Sequence, residues 1–153
     1  DGRVQGEQVI KPQTSRAVRK MLELAAGPQG TAPRAQIAGY RVAGKTGTAH
    51  KQEGGRYVKK YISSFVGFAP ASDPRVVVAV MLGEPPAGKN YRGGVAPAPF
   101  WLDEPSAGKY YGGVVAAPIF ARITGDSLRA LRIPPDAPLA QVVLPAEPVK
   151  ESM

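Results

Sequence analysis

Apolar residues near the start of the chain recur with the period of an α-helix. They fall at i, i+3, i+4 and i+7 on one helix face, at Val18, Met21, Leu22 and Ala25. Pro12 suits the first turn of such a helix, and Gly27-Pro28 supplies a stop signal. The pattern therefore predicts an amphipathic helix over residues 12–26.

Three segments in the middle of the chain have the pattern of β-strands. Residues 40–49 and 61–69 are predicted to be strands, with a glycine-containing turn between them at 52–56. Residues 75–82 form a nearly continuous apolar run. Such a run is typical of a strand buried on both faces, so it predicts a central strand covered by helices.

The C-terminal third holds a second predicted helix and then a change of composition. Residues 114–131 are expected to be helical, with Pro118 in the first turns. Residues 134–153 are rich in proline, which predicts an extended, disordered tail. Residues 1–133 therefore combine helix, three antiparallel strands and helix, a mixed α+β fold class. Its thin core indicates part of a larger domain.

One stretch of the chain is repeated after twenty residues. Residues 84–100 and 104–120 are identical at ten of seventeen aligned positions. Two copies are too few for a solenoid, which needs three or more stacked units, so a local duplication is expected. Pro97 and Pro99 prevent the first copy from continuing into a helix. We expect this extra copy, at about 84–103, to be a surface excursion.

Composition narrows the classes of protein that remain. The chain has no cysteine and a single histidine, His50, which disfavours disulfides, a histidine-based triad and a metal centre, and no cofactor is expected. The net charge of +8 comes without an aromatic-basic stripe, so no nucleic-acid partner is expected. No apolar run is long enough to span a membrane, and any targeting segment is expected upstream.

Residues 43–49, with the sequence A-G-K-T-G-T-A, carry the candidate chemistry and allow two interpretations. Residues 39–46 match the phosphate-binding pattern G-x-x-x-x-G-K-T at each fixed position. Residues 45–47 also match the K-T-G box of serine acyl-transfer enzymes. The two interpretations lead to different enzymes, so the neighbouring sequence has to decide between them.

The neighbouring sequence opposes the phosphate-binding interpretation. A P-loop follows a buried apolar strand and leads directly into a helix, whose N-terminus binds the phosphates. Residues 31–38 are not an apolar strand, and residues 47–55 contain too much glycine for a helix. A P-loop nucleotide binder is therefore kept only as a distant third hypothesis.

An acyl-transfer site makes different demands, and this segment meets them. On a strand, Lys45 and Gly47 share one face, while Thr46 and Thr48 lie on the other face or at the rim. Gly47 leaves room for a substrate along the strand edge. The backbone N–H of Thr48 can contribute to an oxyanion hole, and a threonine hydroxyl together with Lys45 can hold a substrate carboxylate.

Four separated blocks, in order, resemble the C-terminal part of the transpeptidase domain of class B penicillin-binding proteins. The likeness is greatest to the septal, division-type members of proteobacteria, and it covers about residues 10–133. The blocks are residues 30–33, 39–49, 65–70, and 103–105 with 110–113. The resemblance implies the penicillin-binding-protein and serine β-lactamase-like fold, a five-stranded antiparallel sheet flanked by helices, of which about three strands lie here.

The resemblance also implies an activity and a site. In this family a serine attacks the penultimate D-Ala carbonyl of a peptidoglycan stem peptide, releases the terminal D-Ala and passes the acyl group to an amine on a neighbouring strand. Lys45 and Thr48 are then expected to be catalytic. Substrate contacts are expected from Thr46, Gly47, Thr48, Tyr110 and Tyr111.

Ligands, partners and location follow from the same resemblance. The expected ligands are the D-Ala-D-Ala stem peptide and β-lactams, and the expected partners are membrane proteins of the divisome. The expected location is the periplasmic side of the bacterial inner membrane, with the anchor upstream of this chain. Members of the family often have an arginine where His50 stands, so no role is assigned to His50.

Two of the three family motifs are expected to be missing. S-x-x-K and S-x-N precede K-T-G in the family, but no lysine follows Ser15, Ser63 or Ser64 at the third position, and S-x-N is absent. The chain is therefore expected to be a fragment of the transpeptidase domain that is inactive alone. The alternative hypothesis is a non-catalytic truncated or duplicated fragment, or an interaction module.

Overall fold

A computed structural model describes residues 6–84 and 110–139 of the chain. These residues form a three-stranded antiparallel sheet with helices packed against it, which confirms the predicted α+β fold class. In chain order the elements are α1 (Pro12–Ala26), a 3-10 turn (Pro33–Ala35), β1 (Ala43–Glu53), β2 (Arg56–Ala69), β3 (Val76–Gly83), α2 (Gly112–Val115) and α3 (Ala117–Ala130).

The sheet has the order β1-β2-β3, so the strand that carries Lys45 lies at one edge of the described sheet. Lys45 is opposite Val66, and Thr46 is opposite Phe65. Gly54 and Gly55 form the β1–β2 turn with φ of 58° and 80°, which side chains with a Cβ rarely adopt. β1 and β2 are both longer than predicted, and together they form a two-stranded ribbon that extends past the end of β3.

One face of the sheet is covered by α2 and α3, and the core lies between them. Phe65 of β2 meets Phe120 of α3 edge to face, with ring centroids 4.7 Å apart. Leu128 and the small residues Ala116 and Ala117 are fully buried beside this pair. The alternation of side chains along β2 thus directs the aromatic residue into the core and leaves Val66 on the opposite face.

The opposite face of the sheet departs from the sequence-based expectation. The run at 75–82 was expected to be a central strand buried on both sides, but β3 is the other edge of the described sheet. Val77 is 71% exposed and Met81 is 74% exposed, because no described element covers them. The apolar face of α1 is also largely uncovered, with Met21 65% exposed.

The helix predicted over residues 114–131 is divided in two. α2 ends at Val115 and α3 begins at Ala117, with Pro118 within the first two positions of α3. Proline has no N–H to donate and is tolerated only in the first turn of a helix. The division therefore places Pro118 where its missing donor costs nothing.

Residues that follow α3 contact the segment leading into β1. Asp136 accepts hydrogen bonds from the backbone N–H of Arg41 at 2.7 Å and from that of Ser72 at 3.2 Å. The N–H of Ala137 donates to the carbonyl of Gly39 at 3.1 Å. The first residues of the predicted tail, 134–139, are described without regular secondary structure. The rest of that tail, and the near-repeat beyond Glu84, lie outside the described residues.

Candidate active site

The side chain of Lys45 lies along the edge of the sheet and is exposed. Its ammonium donates to the backbone carbonyl of Thr46 at 3.1 Å and to the Thr46 hydroxyl at 3.2 Å. Among residues 6–84 and 110–139, no carboxylate lies within ion-pair distance of it. The positive charge is therefore held in place but not neutralised, which suits the binding of an anion.

Thr46 is buried, and its hydroxyl links Lys45 to a residue that the sequence did not single out. The Oγ1 atom of Thr46 lies 3.3 Å from Oγ1 of Thr31, in the loop between α1 and the 3-10 turn. The two threonines are 15 positions apart in sequence. Thr31 falls in one of the blocks that carry the family resemblance, which was the available signal, although no spacing pattern assigned it a role.

Thr48 lies two positions along β1, on the same side of the strand as Thr46. Its hydroxyl accepts a hydrogen bond from the backbone N–H of Gly112 at 3.2 Å. Because that hydroxyl is already an acceptor, its own proton remains free to be donated to a ligand. The N-terminal residue of α2 thus orients the group expected to meet a substrate carboxylate.

Gly47 contacts the neighbouring strand, in addition to its expected role of leaving room for a substrate along the strand edge. A Cβ at this position would lie 2.6 Å from the Oγ atom of Ser64 on the neighbouring strand, so the Ser64 hydroxyl would have to rotate away. Ser64 also donates to the carbonyl of Gly47 at 3.3 Å. A side chain at position 47 would therefore displace the Ser64 hydroxyl and its hydrogen bond, and would also narrow the space for a substrate along the edge.

Tyr110 and Tyr111 lie beside the same end of β1 in a cluster of aromatic side chains. The Tyr110 ring stacks on Tyr61 with centroids 3.6 Å apart and an interplanar angle of 10°. Tyr111 lies 4.9 Å from Tyr110 on one side, and His50 lies 4.5 Å from Tyr61 on the other. Ser63 anchors the cluster by donating its hydroxyl hydrogen bond to the Tyr110 carbonyl.

The raised pKa of the Tyr110 phenol limits the chemical roles of this side chain. A hydrogen bond with the Tyr61 hydroxyl raises the pKa of Tyr110 above its usual value, and partial loss of solvent acts in the same direction. The phenol is therefore neutral at physiological pH and is available for hydrogen bonding or stacking, not as a general base. His50 accepts or donates one hydrogen bond, between Nδ1 and the Val58 carbonyl at 3.1 Å.

The phosphate-binding hypothesis is wrong on geometric grounds. A P-loop requires a helix that begins directly after the lysine and threonine. Here Lys45 and Thr46 lie within β1, which continues as a strand to Glu53. In the described part of the chain, no helix therefore begins directly after this lysine and threonine, as a P-loop requires.

The expected absence of S-x-x-K requires a correction from the sequence itself. Ser106 is followed at the third position by Lys109, so the spacing does occur. It lies after K-T-G, whereas the family motif precedes K-T-G, and the first copy of the near-repeat has Pro86 in place of this serine. Residues 106–109 lie outside the described part of the chain, so no nucleophile is assigned to them.

Among residues 6–84 and 110–139, no group of three histidine, cysteine or acidic side chains is arranged to hold a metal ion. No helix within these ranges is both long and apolar enough to cross a bilayer. The cluster around Lys45 is accordingly the site that the described residues define.

Comparison with known proteins identifies the family of this arrangement. Residues 1–125 match the family model described as the penicillin binding protein transpeptidase domain. The chain is 42% identical over 138 residues to the peptidoglycan D,D-transpeptidase FtsI of Escherichia coli, and 42% identical over 136 residues to the probable peptidoglycan D,D-transpeptidase PenA of Neisseria meningitidis. The first alignment covers 90% of this chain and 20% of FtsI, and the second covers 88% of this chain and 20% of PenA.

Solved structures agree with this match. The apo transpeptidase domain of Burkholderia pseudomallei penicillin-binding protein 3 superposes with a TM-score of 0.66 at 46% identity, over 87% of this chain and 34% of that one. Penicillin-binding protein 3 of Mycobacterium tuberculosis, solved with ampicillin, gives a TM-score of 0.67 at 29% identity, over 94% and 30%. The chain thus spans about a fifth of the length of the sequence relatives and about a third of the solved chains.

Proposed function

The chain belongs to the penicillin-binding protein transpeptidase family, and from that membership we propose that it forms the lysine-bearing wall of a peptidoglycan D,D-transpeptidase active site. The observation that carries the proposal is the Lys45 ammonium, fixed by Thr46 and left without a counter-ion among the described residues. A stem peptide ends in a carboxylate, which is the charge such a group attracts.

The proposed reaction transfers an acyl group in two steps. A serine hydroxyl from the facing wall attacks the penultimate D-Ala carbonyl, the peptide bond breaks, and the terminal D-Ala leaves as an amine that takes up the proton. An amine from a second stem peptide then attacks the ester and restores the serine. In this scheme Lys45 and Thr48 bind the negative charge that develops on the attacked carbonyl oxygen or the carboxylate at the end of the stem peptide. Thr46 supports Lys45, and Gly47 leaves room for the substrate to lie along β1.

The proposal assigns the serine to residues N-terminal to this chain. Two observations support that assignment. The relatives are about five times as long as the matched stretch. In addition, apolar side chains are exposed on β3, at Val77 and Met81, and on α1, at Met21, and soluble domains usually cover clusters of such side chains.

We also propose the setting in which this reaction takes place. The likeness to FtsI supports a role in septal peptidoglycan synthesis during cell division, on the periplasmic side of the inner membrane. Divisome membrane proteins are the proposed partners of the longer protein. β-Lactams are proposed as inhibitors, on the strength of the ampicillin complex of the Mycobacterium tuberculosis relative.

Acylation by a fluorescent penicillin tests the proposal in the full-length protein, meaning this chain joined to the part encoded upstream. Lys45→Ala is expected to lower the acylation rate constant about a hundredfold or more, as loss of a charge-stabilising group does. The matched control is Lys59→Ala, since Lys59 is exposed on β2 and forms no ion pair among the described residues. Equal rates for the two variants would contradict the proposal.

The second candidate is a non-catalytic fragment or interaction module. The observation in its favour is the same exposed apolar surface around Val77 and Met81, which a partner protein could cover. An upstream reading frame without S-x-x-K and S-x-N would favour this candidate over the first.

A further inference from the structure

The loop between α1 and the 3-10 turn brings a hydroxyl group to Thr46, the residue that holds Lys45, and the proposed mechanism does not use this hydroxyl. We infer that Thr31 is a positioning residue of the transpeptidase site, which holds the Thr46 hydroxyl in the orientation that fixes the Lys45 ammonium. The inference rests on the proposed function, because it gives Thr31 a task within that site.

The direction of the hydrogen bonds follows from the chemistry of the three groups. A lysine ammonium has only donors, so the Thr46 oxygen must be the acceptor in its 3.2 Å contact with Nζ. The Thr46 proton is then free to point elsewhere, and the Thr31 oxygen lies 3.3 Å away. The chain therefore runs from the ammonium to Thr46 and on to Thr31, and each bond strengthens the next by polarisation.

Thr31 is itself held by backbone contacts. The next residue, Ala32, is fully buried and donates its N–H to the Ala25 carbonyl at the end of α1, at 3.0 Å. On the other side, Gly113 of α2 packs so closely that a Cβ there would lie 2.0 Å from the Thr31 carbonyl oxygen. The hydroxyl is thus presented from a fixed segment between two helices.

This arrangement matters because Lys45 is exposed and has a long, flexible side chain. Without a fixed acceptor the Lys45 side chain would sample many rotamers. The entropy lost when it is ordered would then add to the activation free energy. If the Thr31 hydroxyl is removed, the Thr46 hydroxyl loses the hydrogen-bond partner that fixes its orientation. Thr46 could then turn away, and Lys45 would keep only the Thr46 carbonyl as an acceptor.

The test compares three variants of the full-length protein for acylation by a fluorescent penicillin, with the binding constant and the acylation rate constant measured separately. Thr31→Val, which keeps the shape but removes the hydroxyl, is expected to lower the acylation rate constant about three- to tenfold. Thr31→Ser is expected to restore it to within about twofold. Thr124→Val makes the same exchange at a buried threonine of α3, away from the site, and is expected to leave the rate unchanged.

A double variant keeps the test decisive if Thr31→Val also lowers stability. If Thr31 acts through Thr46, adding Thr31→Val to Thr46→Val causes no further loss, whereas independent structural damage would multiply the two losses. Multiplying losses, an unchanged rate in Thr31→Val, or failure of serine to rescue would each overturn the inference. Failure of the wild-type protein to react with penicillin would instead refute the proposed function, and the inference with it.

Discussion

Hydroxyl groups set the properties of this site at the scale of single residues. Thr46 connects the Lys45 ammonium to Thr31, and Thr48 takes a hydrogen bond from Gly112. The K-T-G match and the family resemblance predicted Lys45, Thr46 and Thr48 as site residues, and the alternation of a strand predicted the faces on which they lie. Gly112 could not be paired with Thr48 by spacing, since 64 positions separate them and only the tertiary fold joins them.

The first prediction concerns the hydroxyl of Thr48. Thr48→Val removes the proton proposed for the substrate carboxylate and leaves the Gly112 N–H without its acceptor. Since a hydrogen bond to a charged group is worth about 1.5–3 kcal/mol, acylation of the full-length protein by penicillin is expected to slow about ten- to a hundredfold. Kinetics of fluorescent penicillin labelling measure this, with Thr48→Ser as the variant expected to recover. A valine variant as fast as wild type would show that the Thr48 hydroxyl has no part in the site.

At the scale of secondary-structure elements, short segments from distant parts of the chain fix β1. The start of α2 packs against the strand through Gly112 and Gly113, and Asp136 binds the Arg41 N–H just before the strand begins. The helix and strand pattern predicted α1 with its observed bounds, because proline and glycine mark both ends. It did not predict the role of residues after α3, because proline-rich composition reports the lack of regular structure and not the contacts that Asp136 makes.

The second prediction concerns the close packing of α2. A Cβ at Gly113 would lie 2.0 Å from the Thr31 carbonyl oxygen, so Gly113→Ala must push α2 and the Thr31 segment apart, and Thr31 is the residue that contacts Thr46 of β1. Overpacking of this kind costs about 1–3 kcal/mol, and we expect a lower thermal midpoint together with slower acylation. Gly125→Ala in α3 is the matched control, since its Cβ would meet Ile37 at an ordinary 3.4 Å and alanine favours helix. Equal effects of the two alanines on midpoint and rate would show that β1 does not depend on this contact.

At the scale of the whole molecule, the described residues have one covered and one uncovered side. α2 and α3 bury Phe65 on one face of the sheet, while Val77 and Met81 remain exposed on the other. The sequence predicted burial on both faces of this strand from its continuous apolar run. The prediction is wrong for the described residues, and in the proposed longer protein we expect further elements to cover Val77 and Met81.

The most direct measurement of the central claim is the position of the covalent adduct. The full-length protein and this chain alone would each be incubated with penicillin, and the modified residue located by mass spectrometry of peptides. One acylated serine is expected in the full-length protein, N-terminal to the residues of this chain, and no adduct is expected on the chain alone. An adduct on a serine of this chain, Ser106 included, or a full-length protein that is not acylated, would refute the assignment of Lys45 to one wall of a transpeptidase site with its serine upstream.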